Sequence, residues 1–246
     1  MDRLIYTAMS GAKQAFLQQA GVANNLANAS STGYRAMEHK FRAVPVQGGE
    51  LPTRVFTVNA AVADTFDQGP LMATGRPLDV AVQGAGWIAV ETPGGEAYTR
   101  NGAFQTSPEG QLQTASGLNV LGDGGPIAIP PDNRVSIATD GTVSVVPLFG
   151  TPNNSNPVGR IKLVNPPENE LVRGPDGLFR LKSGEAAEAD ANVKVAPETL
   201  EGSNVNSVDA MVSLITLARQ FEMQVKMLQN ADANARSAAQ IISMNR

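Results

Sequence analysis

The two ends of this chain carry one periodicity and the stretch between them carries another. From Met1 to about Ala29, apolar or small residues recur in steps of four and three at Met1, Ile5, Ala8, Ala12, Ala15, Val22, Leu26 and Ala29, with Gln19 the one interruption. That spacing predicts a helix with a seam of the coiled-coil kind. It stops in Asn28-Ala29-Ser30-Ser31-Thr32-Gly33, where polar residues compete for the backbone and a glycine permits reversal. The C-terminal zone repeats the pattern at Leu214, Ala218, Phe221, Val225, Leu228, Ala235, Ala239 and Ile242, broken only by Asp232. Asn206 and Ser207 are candidate N-caps and Asp209 falls in the first turn, which predicts a helix from about Val208 to Met244.

Between them, roughly Glu50 to Pro197, the period is two and turn dipeptides recur. Asn101-Gly102 and Asp140-Gly141 each separate two strand-like runs and predict hairpins. Glu109-Gly110, Ser116-Gly117 and Asp176-Gly177 add tight turns, while Gly150 to Pro157 and Asn165 to Asn169 read as surface loops. The 24 glycines and 16 prolines fit many turns better than a helical bundle. The fold class expected is α+β: long terminal helices forming a coiled-coil-like inner domain, with an inserted, mainly antiparallel β domain.

The first helix is far in sequence from its helical partner, so closing the pair is costly in loop entropy. Its charged residues through Leu26 are only Asp2, Arg3 and Lys13; the other polar positions are small and neutral, suited to lying against protein on more than one side. Burial between neighbouring copies and an ordinary intramolecular pair with an alanine-rich outer surface both satisfy the periodicity.

Composition narrows the chemistry. With 19 basic and 23 acidic side chains the net charge is −4, which gives no footprint for nucleic acid. There is no cysteine and one histidine, His39, which removes thiol nucleophiles, disulfides and Cys/His zinc sites. No run approaches the roughly 18 apolar residues of a membrane span. The N-terminus has no apolar core of a secretory signal, because Lys13, Gln14, Gln18 and Gln19 interrupt it, so export would need another route.

Several candidate sites weaken on inspection. Gly84-Ala85-Gly86-Trp87-Ile88-Ala89 matches a dinucleotide fingerprint, but β-rich sequence follows where a helix must begin, so a glycine turn between paired strands is expected. Glu168 with Glu170, or Glu185, Glu188 and Asp190, would need to converge in a cleft to act as paired carboxylates, and they sit in loop-like sequence. Trp87, Tyr98 and Phe104 fit strand packing, and Met211, Met223, Met227 and Met244 fit core or interface filling on the last helix.

Three separated segments resemble one family. Ala23-Asn24-Asn25-Leu26-Ala27-Asn28 with Thr32-Gly33-Tyr34-Arg35, then Gly69-Pro70-Leu71, Thr74 to Val82 and Tyr98-Thr99-Arg100-Asn101-Gly102, then Leu200-Glu201-Gly202-Ser203-Asn204-Val205-Asn206 with Arg219-Gln220-Phe221-Glu222-Met223, are similar to the signatures of axial proteins of the bacterial flagellar basal body and hook. The opening residues and the length point to the proximal-rod branch. Gly86-Trp87-Ile88 stands where many relatives have Gly-Phe-Phe.

The resemblance implies a structural, non-enzymatic rod subunit without cofactor or metal, exported through the flagellar type III apparatus without a cleaved signal and polymerised in the periplasm. Residues 1–30 and 205–246 would form the inner rod core, 31–75 and 190–204 a connecting segment, and 76–189 the β domain. The assembly interface implied comprises Ile5, Ala8, Ala12, Ala15, Val22, Asn24, Asn25, Leu26, Asn28 and Gly33, then Leu200, Glu201, Ser203, Asn204, Val205 and Asn206, then Leu214, Ala218, Phe221, Val225 and Leu228. Asn24, Asn25 and Asn28 are expected to cap or cross-bridge helices. Partners would be copies of the chain, other rod proteins and the export apparatus, with surrounding ring proteins and peptidoglycan as further contacts. The alternatives are a distal-rod or hook protein, or a β-domain protein that binds or hydrolyses peptidoglycan.

Overall fold

The computed structural model describes residues 2–45, 55–147 and 155–244. Helix α1 spans Asp2–Ala27 and helix α2 spans Ser207–Met244. The chain between them is organised as β-strands, every described pair antiparallel. It divides into two compact units: residues 1–29, 36–65 and 205–246, and residues 30–35 and 66–204.

In the first unit α1 packs against α2 and against a ribbon made by strands Met37–Pro45 and Val55–Asp64. This ribbon begins earlier than the period-two zone read from sequence. Of the expected α1 seam, Ala8, Ala12 and Ala15 are buried and Ile5, Val22, Leu26 and Ala29 half-buried, and Gly21, outside that seam, is buried as well. Small residues let the elements approach closely: a Cβ on Gly21 would lie 2.5 Å from the His39 ring, and one on Gly11 would lie 3.2 Å from the Gln224 amide. At the end of the helix the Asn24 carbonyl accepts from both the Asn28 amide at 3.2 Å and the Asn28 side chain at 2.9 Å.

At the start of α2, Asn206 Oδ1 accepts from the amides of Val208 at 3.0 Å and Asp209 at 3.4 Å, while its Nδ2 donates to Asp209 Oδ2 at 2.6 Å. The cap satisfies two otherwise orphaned amides, and the first-turn acid holds the capping side chain in place. The inward line of α2 has Ala210, Leu217 and Ala231 buried, with Leu214, Phe221, Gln224, Leu228 and Ala235 half-buried between them. Ala218 and Val225, also expected in the seam, are half-buried like Leu214, Phe221, Leu228 and Ala235, and the side chains of Ala239 and Ile242 fall outside the described residues.

The second unit is built on a five-stranded sheet in the order Leu163–Val164, Trp87–Thr92, Gly95–Thr99, Phe179–Leu181, Leu171–Arg173. Successive residues of its Trp87–Thr92 strand serve opposite faces. Trp87 and Ala89 join Tyr98, Leu171 and Phe179 in one core, while Ile88 joins Val80, Phe104, Leu112, Val143, Ile161 and Val195 in a larger one. That two-sided burial explains the unbroken apolar run.

Turn chemistry held at several positions and failed at one. Asp140-Gly141 joins the paired strands Asn133–Ile137 and Thr142–Pro147, with Gly141 at φ 84°. Glu109-Gly110 joins Phe104–Thr106 to Leu112–Thr114, and Asp176-Gly177 joins Leu171–Arg173 to Phe179–Leu181. Asn101-Gly102 does not close a hairpin. The strand Gly95–Thr99 before it pairs with Trp87–Thr92 and with Phe179–Leu181, and Phe104–Thr106 after it pairs with Leu112–Thr114. Gly102 is instead needed for contact, since a Cβ there would lie 1.8 Å from the Val80 carbonyl oxygen. Likewise Gly84-Ala85-Gly86 links Val80–Gln83 and Trp87–Thr92, which belong to different sheets. Of the loop expected at 150–157, residues 150–154 lie outside the described residues, and Asn156 already begins the strand Asn156–Arg160. The loop expected at 165–169 contains the start of a short 3₁₀ turn, Glu168–Glu170.

Candidate functional site: helix faces and a buried carboxylate

The terminal helices are apolar on more than the sides they bury. Opposite the buried line of α2, Val208, Met211, Val212, Ile215 and Met223 are exposed, with Met227 at the flank. On α1, Tyr6, Met9 and Phe16 are exposed away from Ala8, Ala12 and Ala15. The same sides also carry charge, Lys13 on α1 and Arg219, Glu222 and Lys226 on α2 beyond Ile215, so the exposed apolar surface is concentrated at Tyr6 to Phe16 on one helix and Val208 to Ile215 on the other.

The asparagines work locally. Asn25 spans α1 and the adjoining ribbon: its Nδ2 donates to the Met37 carbonyl at 2.8 Å and its Oδ1 accepts from the Met37 amide at 2.9 Å. It therefore ties α1 to the ribbon, where capping or cross-bridging of helices was expected. Asn28 caps α1, and Asn24 supplies the carbonyl it caps.

In the second unit, the chain leaving α1 meets the chain approaching α2 around one carboxylate. Glu201 is fully buried. Its Oε1 lies 2.6 Å from Arg35 Nη2 and accepts from the Gly69 amide at 3.1 Å, while Oε2 accepts from Arg100 Nη1 at 3.1 Å. The Glu201 carbonyl accepts from the Gly33 amide at 2.8 Å, and the Gly202 amide donates to the Pro70 carbonyl at 2.8 Å. Gly33 must be glycine twice over: its φ is +66°, and a Cβ would lie 2.4 Å from the Arg100 carbonyl carbon.

The two guanidiniums are held differently. Arg100 Nη2 donates to the Gly84 carbonyl at 2.6 Å, and the head lies 5.3 Å from the Trp87 ring centroid. Burial pushes Arg100 down to about 10, with Glu201 pulling it up and Arg35 pushing it further down, so it stays charged at neutral pH. Arg35 makes an ionic contact rather than a well-directed hydrogen bond: its Nε and Nη1 meet no acceptor and Nη2 lies close to Oε1 without hydrogen-bond alignment. Arg173 donates to the Arg35 carbonyl at 2.5 Å and lies 5.1 Å over the Tyr34 ring, fixing the same segment from outside. Ser203 is buried beside this clasp, and Leu200 and Asn204 are half-buried.

An open cleft of about 700 Å³ is lined by Arg76, Pro77, Glu109, Ile129, Asp132 and Arg134 among others, with no histidine. Glu168, Glu170, Glu185 and Glu188 are exposed, and no group of three or more potential metal ligands exists among the described residues. A strand, not a helix, follows Gly86. No described helix is long and apolar enough to cross a membrane.

Across its full length the chain is 47% identical to the flagellar basal-body rod protein FlgF of Escherichia coli (strain K12), covering all of that protein as well. The chain belongs to the flagellar basal-body rod protein family. The rod protein of this name from Caulobacter vibrioides is 35% identical over 98% of each chain, and a basal-body rod protein FlgG of Agrobacterium fabrum is 31% identical over 91% of this chain and 92% of its own. Three family models match in order: the flagella basal body rod protein at residues 5–35, the flagellar hook protein FlgE/F/G D1 domain at 81–145, and the flagellar basal body rod FlgEFG protein C-terminal at 196–241. The chain is a structural rod subunit and not an enzyme.

For this rod protein the sequence brought forward Gly33 and Glu201 but not the partners that give them meaning. Arg35 and Arg100 lie within the family-like segments and Trp87 in a strand-like run, with nothing in the spacing to join them to Glu201. Charged side chains are expected at the surface, and only the three-dimensional closure shows that two of them are buried on one acid.

Proposed function

We propose that this rod subunit assembles through its terminal helices, which form the inner tube of the proximal rod, with the β domain lying outside. In this arrangement residues 1–30 and 205–246 are the inner element, 31–75 and 190–204 the connection, and 76–189 the outer domain. The observation that carries the proposal is the second apolar face of each helix, Tyr6, Met9 and Phe16 on α1 and Val208, Met211, Val212 and Ile215 on α2. One face of each is buried within its own unit; the other needs neighbours, supplied by further copies or by other rod proteins, with coiled-coil-like packing of the seams. The chain reaches the periplasm through the flagellar type III apparatus without a cleaved signal, and ring proteins and peptidoglycan lie around the finished rod.

The test is Val212→Asp combined with Ile215→Asp, two exposed positions whose change leaves the fold of the free chain intact. The expected result is loss of motility and of the chain from purified basal bodies, with unchanged circular dichroism and Trp87 fluorescence. Normal rod content in that variant would refute assembly through this face.

A further inference from the structure

The exposed apolar surface of this chain is rich in one functional group. Five of its eight methionines are about half exposed: Met9 at 53%, Met72 at 48%, Met211 at 52%, Met223 at 59% and Met227 at 46%. Four of these lie on the outward sides of α1 and α2, and Met72 lies on strand Leu71–Ala73 of the other unit. The chain has no cysteine, so any oxidative sulfur chemistry open to it falls to thioethers. Met223 and Met227 are four residues apart, one turn along the same side, so both act on the same contact.

We infer that Met9, Met211, Met223 and Met227 form a peroxide-sensitive modification site that decides whether a free subunit can be incorporated, an inference that rests on the helix-face assembly proposed above. The co-reactant is a hydroperoxide. The thioether lone pair attacks one peroxide oxygen, an S–O bond forms and the O–O bond breaks, and the departing hydroxide takes up the remaining proton to leave as water. Sulfur loses two electrons and the peroxide gains them, giving one sulfoxide and one water from hydrogen peroxide.

The consequence follows from burial. A thioether is soft and apolar and fits an irregular helix contact, whereas a sulfoxide carries a strong acceptor that must be hydrated or hydrogen-bonded. Covering it without a donor weakens association about tenfold for each sulfoxide. Two on one turn of α2 multiply to about a hundredfold. Once a neighbouring helix covers these sulfurs, peroxide no longer reaches them, so the modification acts on free subunits and spares finished rods. Enzymatic reduction of the sulfoxide restores the thioether.

The experiment uses cells that build rods from this chain. Sublethal hydrogen peroxide is added during rod construction, and the sulfoxide fraction at each methionine is read by peptide mass in two pools, unincorporated chain and purified basal bodies. The expected result is at least tenfold depletion of sulfoxide at the four helix positions in the rod pool, with Met72 equal in both pools. Equal sulfoxide at the helix positions overturns the inference, and so does equal depletion at Met72, which would mean wholesale disposal of oxidised chain. Peroxide applied to purified basal bodies separates the two levels. Helix methionines that react there as fast as in free chain refute the assembly proposal itself; protected methionines with undiminished sulfoxide in the rod pool refute only the redox inference.

Discussion

Glu201→Gln removes one negative charge and almost no volume, and the geometry fixes what this costs. The carboxylate is fully buried and compensates two guanidiniums whose side chains are 0% and 4% exposed. At an effective dielectric near 20, a unit pair about 4 Å apart is worth roughly 4 kcal/mol, so two lost pairs set the upper scale. The neutral amide is cheaper to bury, which returns part of that. Removing one member of a buried ion pair costs about 3–5 kcal/mol in practice, and the same range is expected here. Against a domain stability of about 5–15 kcal/mol this is a large fraction. The assay is built in: Trp87 is the only tryptophan and lies 5.3 Å from the Arg100 head and 6.0 Å from that of Arg35, so its fluorescence during urea unfolding reports this unit. A loss below about 1 kcal/mol would refute the view that the carboxylate compensates both arginines.

Gly102→Ala places a Cβ 1.8 Å from the Val80 carbonyl oxygen, which a backbone shift alone can relieve, so a loss of at least 3 kcal/mol is expected in the same unfolding assay. Asn25→Ala removes both bonds to Met37; about 1–2 kcal/mol of local stability is expected to go, read as faster hydrogen exchange at the Met37 amide. Burial, with a neighbouring Glu96 acting in the same direction, pushes the Tyr98 phenol up to about 12 although its hydroxyl accepts from the Ala187 amide at 2.7 Å. Since the folded chain holds that proton after the unfolded chain has released it, this group's contribution falls as pH rises from about 10 to about 12. Phenolate absorbance should show an ionisation step near pH 12, and Tyr98→Phe should abolish that step.

What the sequence disclosed and withheld divides along physical lines. The end of α1 and both ends of α2 were legible within about two residues, because capping asparagines and a long period leave little freedom. The buried line of α2 was harder to place. Val208, Val212 and Ile215 make the opposite face apolar too, so hydrophobic period alone does not select which side is buried. Asp140-Gly141 announced its hairpin because Gly141 supplies the positive φ such turns need. Asn101-Gly102 misled for the converse reason: Gly102 is absent from the positive-φ glycines, and its missing side chain serves the close passage of Val80. Arg35 and Arg100 could not be assigned to Glu201 from spacing, since pairs separated by 101 residues and more in sequence leave no periodic trace.

Why the clasp is ionic is a question of uniqueness more than stability. A buried ion pair is often no more stabilising than well-packed apolar residues of the same volume. Replacing all three charges, as Arg35→Met with Glu201→Leu and Arg100→Met, should therefore recover most of what Glu201→Gln loses. An apolar cluster, however, accepts several packings, whereas two arginines around one carboxylate accept few. The segments joined here, residues 30–35 and 199–204, are the connections to the two helices, and strand Thr199–Glu201 meets Leu71–Ala73 over only three residue pairs. So short a ladder fixes register weakly, and a slip by one residue would turn the Glu201 side chain to the other face of its strand. Leaving both arginines buried without their acid makes that slip prohibitive. The triple apolar variant should then match the parent in unfolding free energy yet show faster amide exchange across residues 199–202, and equal exchange would mean that the backbone ladder alone sets the register.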